Sequence, residues 1–183
     1  MMTFVVHADP RVCAKILDYK RLGKQRVEAY QIWRTLKGIT KGWRNHPAVK
    51  MWEGHEDALA FYMNTMIVEW TRRGYNNSMK FLPFGGPRVP EFPWWFGWDH
   101  LHNSHKASLN RKDPSWYHFD VPDPDQLYVW PHKLKCTPPV NAAPRQSVPD
   151  ALERDDQESA PSEGWKVQED SQKEYVRVLQ VPL

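Results

Sequence analysis

The chain has 183 residues, enough for one ordinary domain but few for two domains with separate cores. Hydrophobic residues make up 40% of it and aromatic residues 13%, which argues against a wholly disordered chain. The sequence has no run of 18 apolar residues, no signal-peptide pattern, and only two cysteines, too few for a disulfide framework or a CxxC metal site. We therefore expect a monomeric intracellular protein, cytoplasmic or nucleoid/nuclear, that is neither secreted nor bound to a membrane.

The net charge of +3 is distributed unevenly along the chain. Residues 1–50 hold eleven Lys and Arg against three acidic residues, whereas residues 136–183 hold five basic and nine acidic residues. A basic N-terminal part favours a polyanionic partner, although a solvated helix face has the same composition. The last segment is rich in Pro, Ser, Gln and acids. The sequence thus predicts a folded domain over 1–135 and a disordered acidic tail over 136–183.

The first helix signal is Asp9-Pro10, because an aspartate caps free backbone N–H groups and proline is favoured in the first helical turn. A basic helix is predicted from there to Gly38, with a kink at Gly23. Its predicted core-facing residues are spaced by three and four positions and are Val12, Ile16, Tyr19, Gly23, Val27 and Tyr30.

A second helical stretch is predicted to begin at Pro47 and to be interrupted at Gly54, before a longer helix over 55–73 that ends at Gly74. The apolar stripe of the longer helix is expected in the core and consists of Leu59, Met63, Met66 and Trp70.

Residues 81–98 contain four prolines and three glycines among many aromatic residues. This composition predicts a long aromatic loop that packs over the helices. The last helix is predicted over 99–112, with Asp99 as its cap and Asp113-Pro114 as its stop.

Signals for a metal or cofactor are weak. His100, His102 and His105 suggest a metal site, but residues two positions apart on a helix point about 200° apart. We expect these histidines to be solvated or to contact phosphate, and we expect no metal. The G-x-S-x-G, G-x-G-x-x-G and P-loop motifs do not occur, so no cofactor is expected either.

Three blocks of sequence carry a family resemblance. The first is LDYKRLGKQRVE at 17–28 and the second is TKGWRNHP at 40–47. The third comprises SHK at 104–106 and LNRKDPSWY at 109–117, followed by YVWP at 128–131. In this order they resemble the pyrimidine-dimer DNA glycosylase family of phage endonuclease V type, in particular its bacterial branch. The resemblance covers roughly residues 3–131, and the helix between the blocks ends in the family's Arg-Arg-Gly-aromatic pattern.

The resemblance implies a compact all-α domain of about three main helices that binds duplex DNA and excises a damaged or modified base, a pyrimidine dimer. It also implies AP-lyase activity, in which an N-terminal amine attacks the sugar C1′, forms a Schiff base and cleaves the strand by β-elimination. Glu28 stands where the family's essential glutamate falls, and a carboxylate there stabilises the cationic sugar and transfers protons. In the phage enzyme an arginine directly precedes this glutamate, whereas here Val27 does and the arginine is Arg26. The competing interpretation of Glu28 is an ordinary surface ion pair with Lys24.

The resemblance implies that Thr3 carries the nucleophilic amine. This holds if translation begins at Met2, because the initiator methionine is normally removed only before a small residue. Otherwise Lys20 or Lys24 supplies the amine, or the lyase step is missing. An α-amine has a reference pKa of about 8 against about 10.4 for lysine, so more of it is unprotonated at neutral pH.

Several further residues are candidates for DNA binding. The cations are expected to bind phosphates. His46 is expected either to organise its loop or to contact DNA. The aromatic rings are expected to lie either beside an extruded base or in the core. The set is Arg21, Lys24, Arg26, Arg44, His46, Arg111, Lys112, Trp116 and Tyr117.

Two other functions stay open at this point. The first is a noncatalytic nucleic-acid-binding helical module that keeps the basic face and has lost the nucleophile. The second is a protein-interaction adaptor that binds a partner through the aromatic loop and the tail over 136–183.

Overall fold

The computed structural model describes residues 1–85 and 89–133. Its helices are α1 (Pro10–Ile16), α2 (Tyr19–Leu36), α3 (Pro47–Lys50), α4 (Glu56–Arg72) and α5 (Asp99–Lys112), followed by a 3-10 turn at Pro131–Lys133. No strand occurs within the two described ranges, and the predicted all-α class is confirmed. In the same ranges no helix is long and apolar enough to cross a membrane. The predicted tail over 136–183, with the domain boundary at 135, lies outside the described residues.

The basic helix predicted from residue 10 to residue 38 is in fact two helices, so that prediction is wrong. Leu17 is extended, and the Asp18 carboxylate accepts hydrogen bonds from two backbone N–H groups of the next turn, so it caps α2. Tyr117 holds this break in place. Its hydroxyl donates to Asp18 Oδ2 at 2.5 Å and accepts from the Asp18 N–H at 2.9 Å. The chain therefore turns at Asp18 and not at Gly23.

The buried face of α2 differs from the face that the sequence predicts. Tyr19 and Val27 are 51% and 44% exposed, contrary to their predicted place in the core. Gly23 faces α4, where an added Cβ atom would lie 3.0 Å from the Trp70 ring, so glycine lets the two helices approach closely. The buried residues of α2 are Leu22, Gln25, Arg26, Ala29, Ile32 and Thr35.

The other helices lie where the sequence predicts them. α3 begins at Pro47, and α4 is followed by Gly74 at a φ of 82°, the left-handed conformation that glycine adopts after a helix. The predicted apolar stripe of α4 is buried at Leu59, Met63 and Met66, with Trp70 partly buried. Asp99 lies in the first turn of α5 and not at its cap, which is Trp98.

The described part of the 81–98 loop packs on the helices, as predicted. Asn64 of α4 donates to the Leu82 carbonyl and accepts from the Leu82 N–H, both at 2.8 Å. The Trp95 indole N–H donates to the Met51 carbonyl, and its ring stands edge-on to Trp52 with the centroids 4.9 Å apart. The loop therefore contributes to the hydrophobic core.

Candidate active site

The first residues of the chain form an extended segment buried between the helices. Residues 2–6 are all buried, and polar side chains of the surrounding helices contact their backbone groups. His105 of α5 accepts a hydrogen bond from the Val5 N–H at 2.8 Å, and His102 Nδ1 lies 2.9 Å from the Val5 carbonyl. Because no strand in the described ranges pairs with this segment, side chains satisfy its backbone instead.

Gln25 of α2 holds the same segment from the opposite side. Its carboxamide accepts from the Phe4 N–H at 2.8 Å and donates to the Met2 carbonyl at 3.0 Å, as a neighbouring peptide group would. The Tyr62 hydroxyl lies 2.9 Å from both the Phe4 carbonyl and Gln25 Oε1. The Thr3 hydroxyl accepts from the Trp52 indole N–H at 2.9 Å. The position of residues 2–4 is thus fixed by hydrogen bonds to three side chains, those of Gln25, Tyr62 and Trp52.

Glu28 lies one helical turn after Gln25 and on the same face of α2. Its Oε2 accepts a hydrogen bond from the Met2 N–H at 3.1 Å. The structure therefore brings this carboxylate to the N-terminal segment, 26 residues away along the chain. An ion pair with Lys24 is therefore not needed to explain the position of the Glu28 side chain, since Glu28 has a hydrogen-bond partner at the N-terminus.

His46 stands at the same end of the molecule. Its Nδ1 accepts from the Ala48 N–H at 3.1 Å and so caps α3. Partial burial and the positive charge of the N-terminal ammonium lower the pKa of His46, and the Glu28 carboxylate opposes this. The imidazole is therefore neutral at pH 7, in the electrostatic field of both the N-terminal ammonium and Glu28.

Thr3, the other predicted catalytic residue, is buried in the chain as described. Its nitrogen is there a peptide nitrogen, one residue beyond the Met2 nitrogen that contacts Glu28. Adjacent residues of an extended chain are separated by at most about 3.6 Å along its axis. The amine of a chain that begins at Thr3 would therefore lie within about 7 Å of Glu28 Oε2, beyond the space that the buried Met2 side chain fills.

The predicted phosphate-binding cations differ in their surroundings. Lys24, Arg44 and Lys112 are exposed. Arg21 forms ion pairs with Asp18 and Asp113 at 2.7 and 3.1 Å. Lys24, Arg44 and Lys112 are thus on the surface, whereas Arg21 is held by two carboxylates.

Two of the predicted arginines have structural contacts instead. Arg26 is buried against the Trp70 ring at 3.9 Å and donates to Asn77 at 2.7 Å, and burial lowers its pKa. Arg111 is exposed but donates to the backbone carbonyls of Pro124 and Gln126. Their positive charge alone gave no indication of these contacts.

Trp116 and Tyr117 lie far from Glu28. The Tyr117 hydroxyl binds Asp18 at the first turn of α2, and Tyr117 is buried. Glu28 is ten residues further along this helix, a rise of about 15 Å. Trp116 is 57% exposed, with its indole N–H 3.4 Å from the Ile16 carbonyl. The structure thus places both rings away from Glu28, and Tyr117 is in the core, the second of the two predicted positions.

The roles of His102 and His105 in holding Val5 were missed from sequence. Burial lowers the pKa of His105 to about 3 and also lowers that of His102, so both are neutral at pH 7. A polar residue among buried positions, such as Gln25 between Leu22 and Ala29, was the signal available in the sequence for such contacts.

We expect the free energy of unfolding to fall as the pH drops from about 6.5 towards 3. Over this range the unfolded chain takes up a proton on His105 while the folded chain does not, which costs up to about 1.4 kcal/mol per pH unit. The lowered pKa of His102 acts in the same direction. His105→Asn keeps an acceptor for the Val5 N–H but does not titrate, so its stability, measured by urea denaturation between about pH 7 and 5, should fall less steeply.

The exposed His118 provides the matched control as His118→Asn, which should retain the wild-type pH dependence. An unchanged slope in His105→Asn would show that the buried imidazole is not the titrating group.

Comparison with known proteins gives one match. Residues 1–83 match the family model described as pyrimidine dimer DNA glycosylase. The match confirms the family resemblance over these residues, which include Glu28 and His46 but not Arg111 to Tyr117. Neither a curated protein nor a solved structure matches the chain.

Proposed function

Residues 1–83 carry the sequence pattern of the pyrimidine dimer DNA glycosylase family, and on this premise we propose that the protein excises pyrimidine dimers from duplex DNA and cleaves the strand as an AP lyase. The nucleophile is the N-terminal α-amine, and Glu28 is the catalytic carboxylate. One observation carries this proposal: Glu28 Oε2 lies 3.1 Å from the backbone nitrogen of residue 2, inside a buried N-terminal segment.

The proposed reaction has two stages. The amine nitrogen bonds to C1′ as the C1′–base bond breaks, and the departing base keeps the electron pair and takes up a proton. The C1′–O4′ bond of the sugar ring then breaks, a proton lost by the amine nitrogen is taken up by O4′, and the nitrogen lone pair forms the C=N bond of the Schiff base. Removal of a C2′ proton then expels the 3′ phosphate and cleaves the strand. A carboxylate beside the amine stabilises the cationic sugar and transfers these protons.

We assign the nucleophilic amine to Thr3. In this assignment translation begins at Met2, and Met2 is then removed. Loss of residues 1 and 2 removes the buried Met2 side chain and leaves space in front of Glu28 for the sugar. The contacts of Trp52 with the Thr3 hydroxyl and of Gln25 with the Phe4 N–H do not involve the lost residues. They would hold the new amine in place, which is the orientation that an attacking group needs.

The expected substrate surface is the one that surrounds this N-terminus. Arg44 is exposed two residues before His46, and Lys24 is exposed one turn before Glu28. Cations at these positions would bind backbone phosphates and hold a duplex without reading its sequence.

Incision of irradiated plasmid tests the proposal. The chain that begins at Thr3 should nick ultraviolet-irradiated supercoiled plasmid and leave unirradiated plasmid intact. Prior treatment of the irradiated plasmid with photolyase, which reverses cyclobutane dimers, should abolish the nicking. Salt-sensitive binding without nicking of irradiated or abasic DNA would instead identify a noncatalytic DNA-binding module.

A further inference from the structure

Trp43 has a conformation and an exposure that folding does not account for. It is 65% exposed, and with a φ of 65° it is the one residue other than glycine with a positive φ in the described ranges. A large side chain in this left-handed region is strained, and such strain is concentrated at functional sites. The neighbouring Gly42, which would adopt this conformation without strain, does not have it.

The backbone fixes the Trp43 ring in this exposed position. The His46 N–H donates to the Trp43 carbonyl at 2.8 Å and closes a tight turn over residues 43–46. The helix α3 follows directly, capped by the His46 side chain. The ring of Trp43 is therefore presented from a hydrogen-bonded turn directly before α3.

A row of aromatic rings connects Trp43 with the candidate active site. Trp43 and His46 stand nearly perpendicular, with centroids 5.7 Å apart, and His46 and Trp130 do so at 6.4 Å. Tyr128 is 6.0 Å from Trp130 and 6.4 Å from Phe4 of the N-terminal segment. His46, in the middle of the row, lies in the field of Glu28 and the N-terminal ammonium.

We propose that Trp43 stacks on an unpaired nucleobase of the bound duplex, and that Trp130 forms the inner wall of the same base-binding site. The inference rests on the proposed function. An enzyme that attacks C1′ must disrupt base stacking, and the displaced base needs a surface that replaces its lost neighbours. The exposed Arg44, adjacent to Trp43, would bind the phosphate of that nucleotide.

This assignment differs from the sequence prediction that Trp116 and Tyr117 contact the extruded base. Trp116 and Tyr117 lie near Asp18, at the start of α2. Trp43 lies at the end of the molecule where Glu28 contacts the N-terminal segment. An indole face stacks on any of the four bases, so the site would select an unpaired base and not a particular sequence.

The test compares affinities for two duplexes that differ at one position. One contains a tetrahydrofuran residue, an abasic analogue that cannot be cleaved, and the other is intact. Trp43→Gly should bind the abasic duplex about 10- to 100-fold more weakly than wild type, with a much smaller loss on the intact duplex. Trp43→Phe keeps a stacking face and should stay within a few-fold of wild type.

Thermal unfolding and a matched tryptophan separate binding from folding. Glycine relieves the left-handed strain, so Trp43→Gly should unfold at the same temperature as wild type or higher. Trp116→Ala removes an equally exposed ring distant from Glu28 and should leave both affinities unchanged.

Three results would overturn the inference. They are wild-type affinity of Trp43→Gly for the abasic duplex, equal losses in Trp43→Phe and Trp43→Gly, and a loss of the same size in Trp116→Ala. If the wild-type protein nicks irradiated DNA while one of these results is obtained, only the stacking assignment fails. If the wild-type protein binds neither duplex, the proposed function fails with it.

Discussion

Glu28→Gln should lower the rate of base release by about 100- to 10,000-fold, the range that a positioned acid or base contributes to catalysis. Glutamine has nearly the same shape as glutamate, and the contacts of Trp52 with the Thr3 hydroxyl and of Gln25 with the Phe4 N–H do not involve residue 28, so the N-terminal segment should stay in place. What the variant loses is the negative charge beside the amine and the ability to transfer a proton. Single-turnover incision of a duplex with one dimer measures the effect.

Affinity and stability provide the controls for Glu28→Gln. Its affinity for the abasic duplex and its unfolding temperature should stay near the wild-type values, because the contacts of residues 3 and 4 and the packing are retained. Glu53→Gln removes an exposed carboxylate elsewhere and should leave the rate unchanged. A fully active Glu28→Gln protein would reduce Glu28 to a structural contact of the N-terminus.

An uncleaved extension before Thr3 should abolish incision, with a fall of about 1,000-fold or more. The extension converts the amine into a peptide nitrogen, which has no nucleophilic electron pair for attack on C1′. Rates of incision should be compared for chains that begin at Thr3, at Met1, and at Thr3 behind a short Gly-Ser extension. The chain that begins at Thr3 should be the most active of the three.

Two exposed lysines are the alternative sources of the nucleophilic amine in this comparison. Lys20 and Lys24 keep their amines in every form of the N-terminus. If the extended protein incises as fast as the chain that begins at Thr3, the Thr3 amine is not the nucleophile, and either a lysine or the amine of the extension itself supplies it. Similar affinity of all three forms for the intact duplex would show that the extension does not simply block DNA.

Local signals in the sequence predicted most helix boundaries. Pro47, Gly74 and Asp113-Pro114 act on the chain within one turn of themselves, and α3, α4 and α5 begin or end there. The break before α2 was missed because Asp18 reads as one polar residue inside a helical pattern. The residue that stabilises the break, Tyr117, is 99 positions away.

The candidate site was predictable only in part, because its contacts also join residues that are distant in the sequence. Glu28 was found through its place in a family pattern, but nothing local shows that it reaches the nitrogen of residue 2. The bonds of Gln25 and His105 to the N-terminal backbone join residues 21 to 100 positions apart, which periodicity along a helix does not report. Charge likewise does not distinguish an arginine on the surface from Arg26, which packs on Trp70.

Borohydride reduction of the protein on an abasic duplex tests the central claim most directly. Reduction converts the Schiff base into a stable bond, and mass analysis of the protein and of its linked peptide identifies the amine. We predict a covalent adduct in which the DNA fragment is attached to the α-nitrogen of Thr3. No adduct, or one attached to Lys20 or Lys24, would contradict the assignment of the N-terminal amine beside Glu28 as the nucleophile.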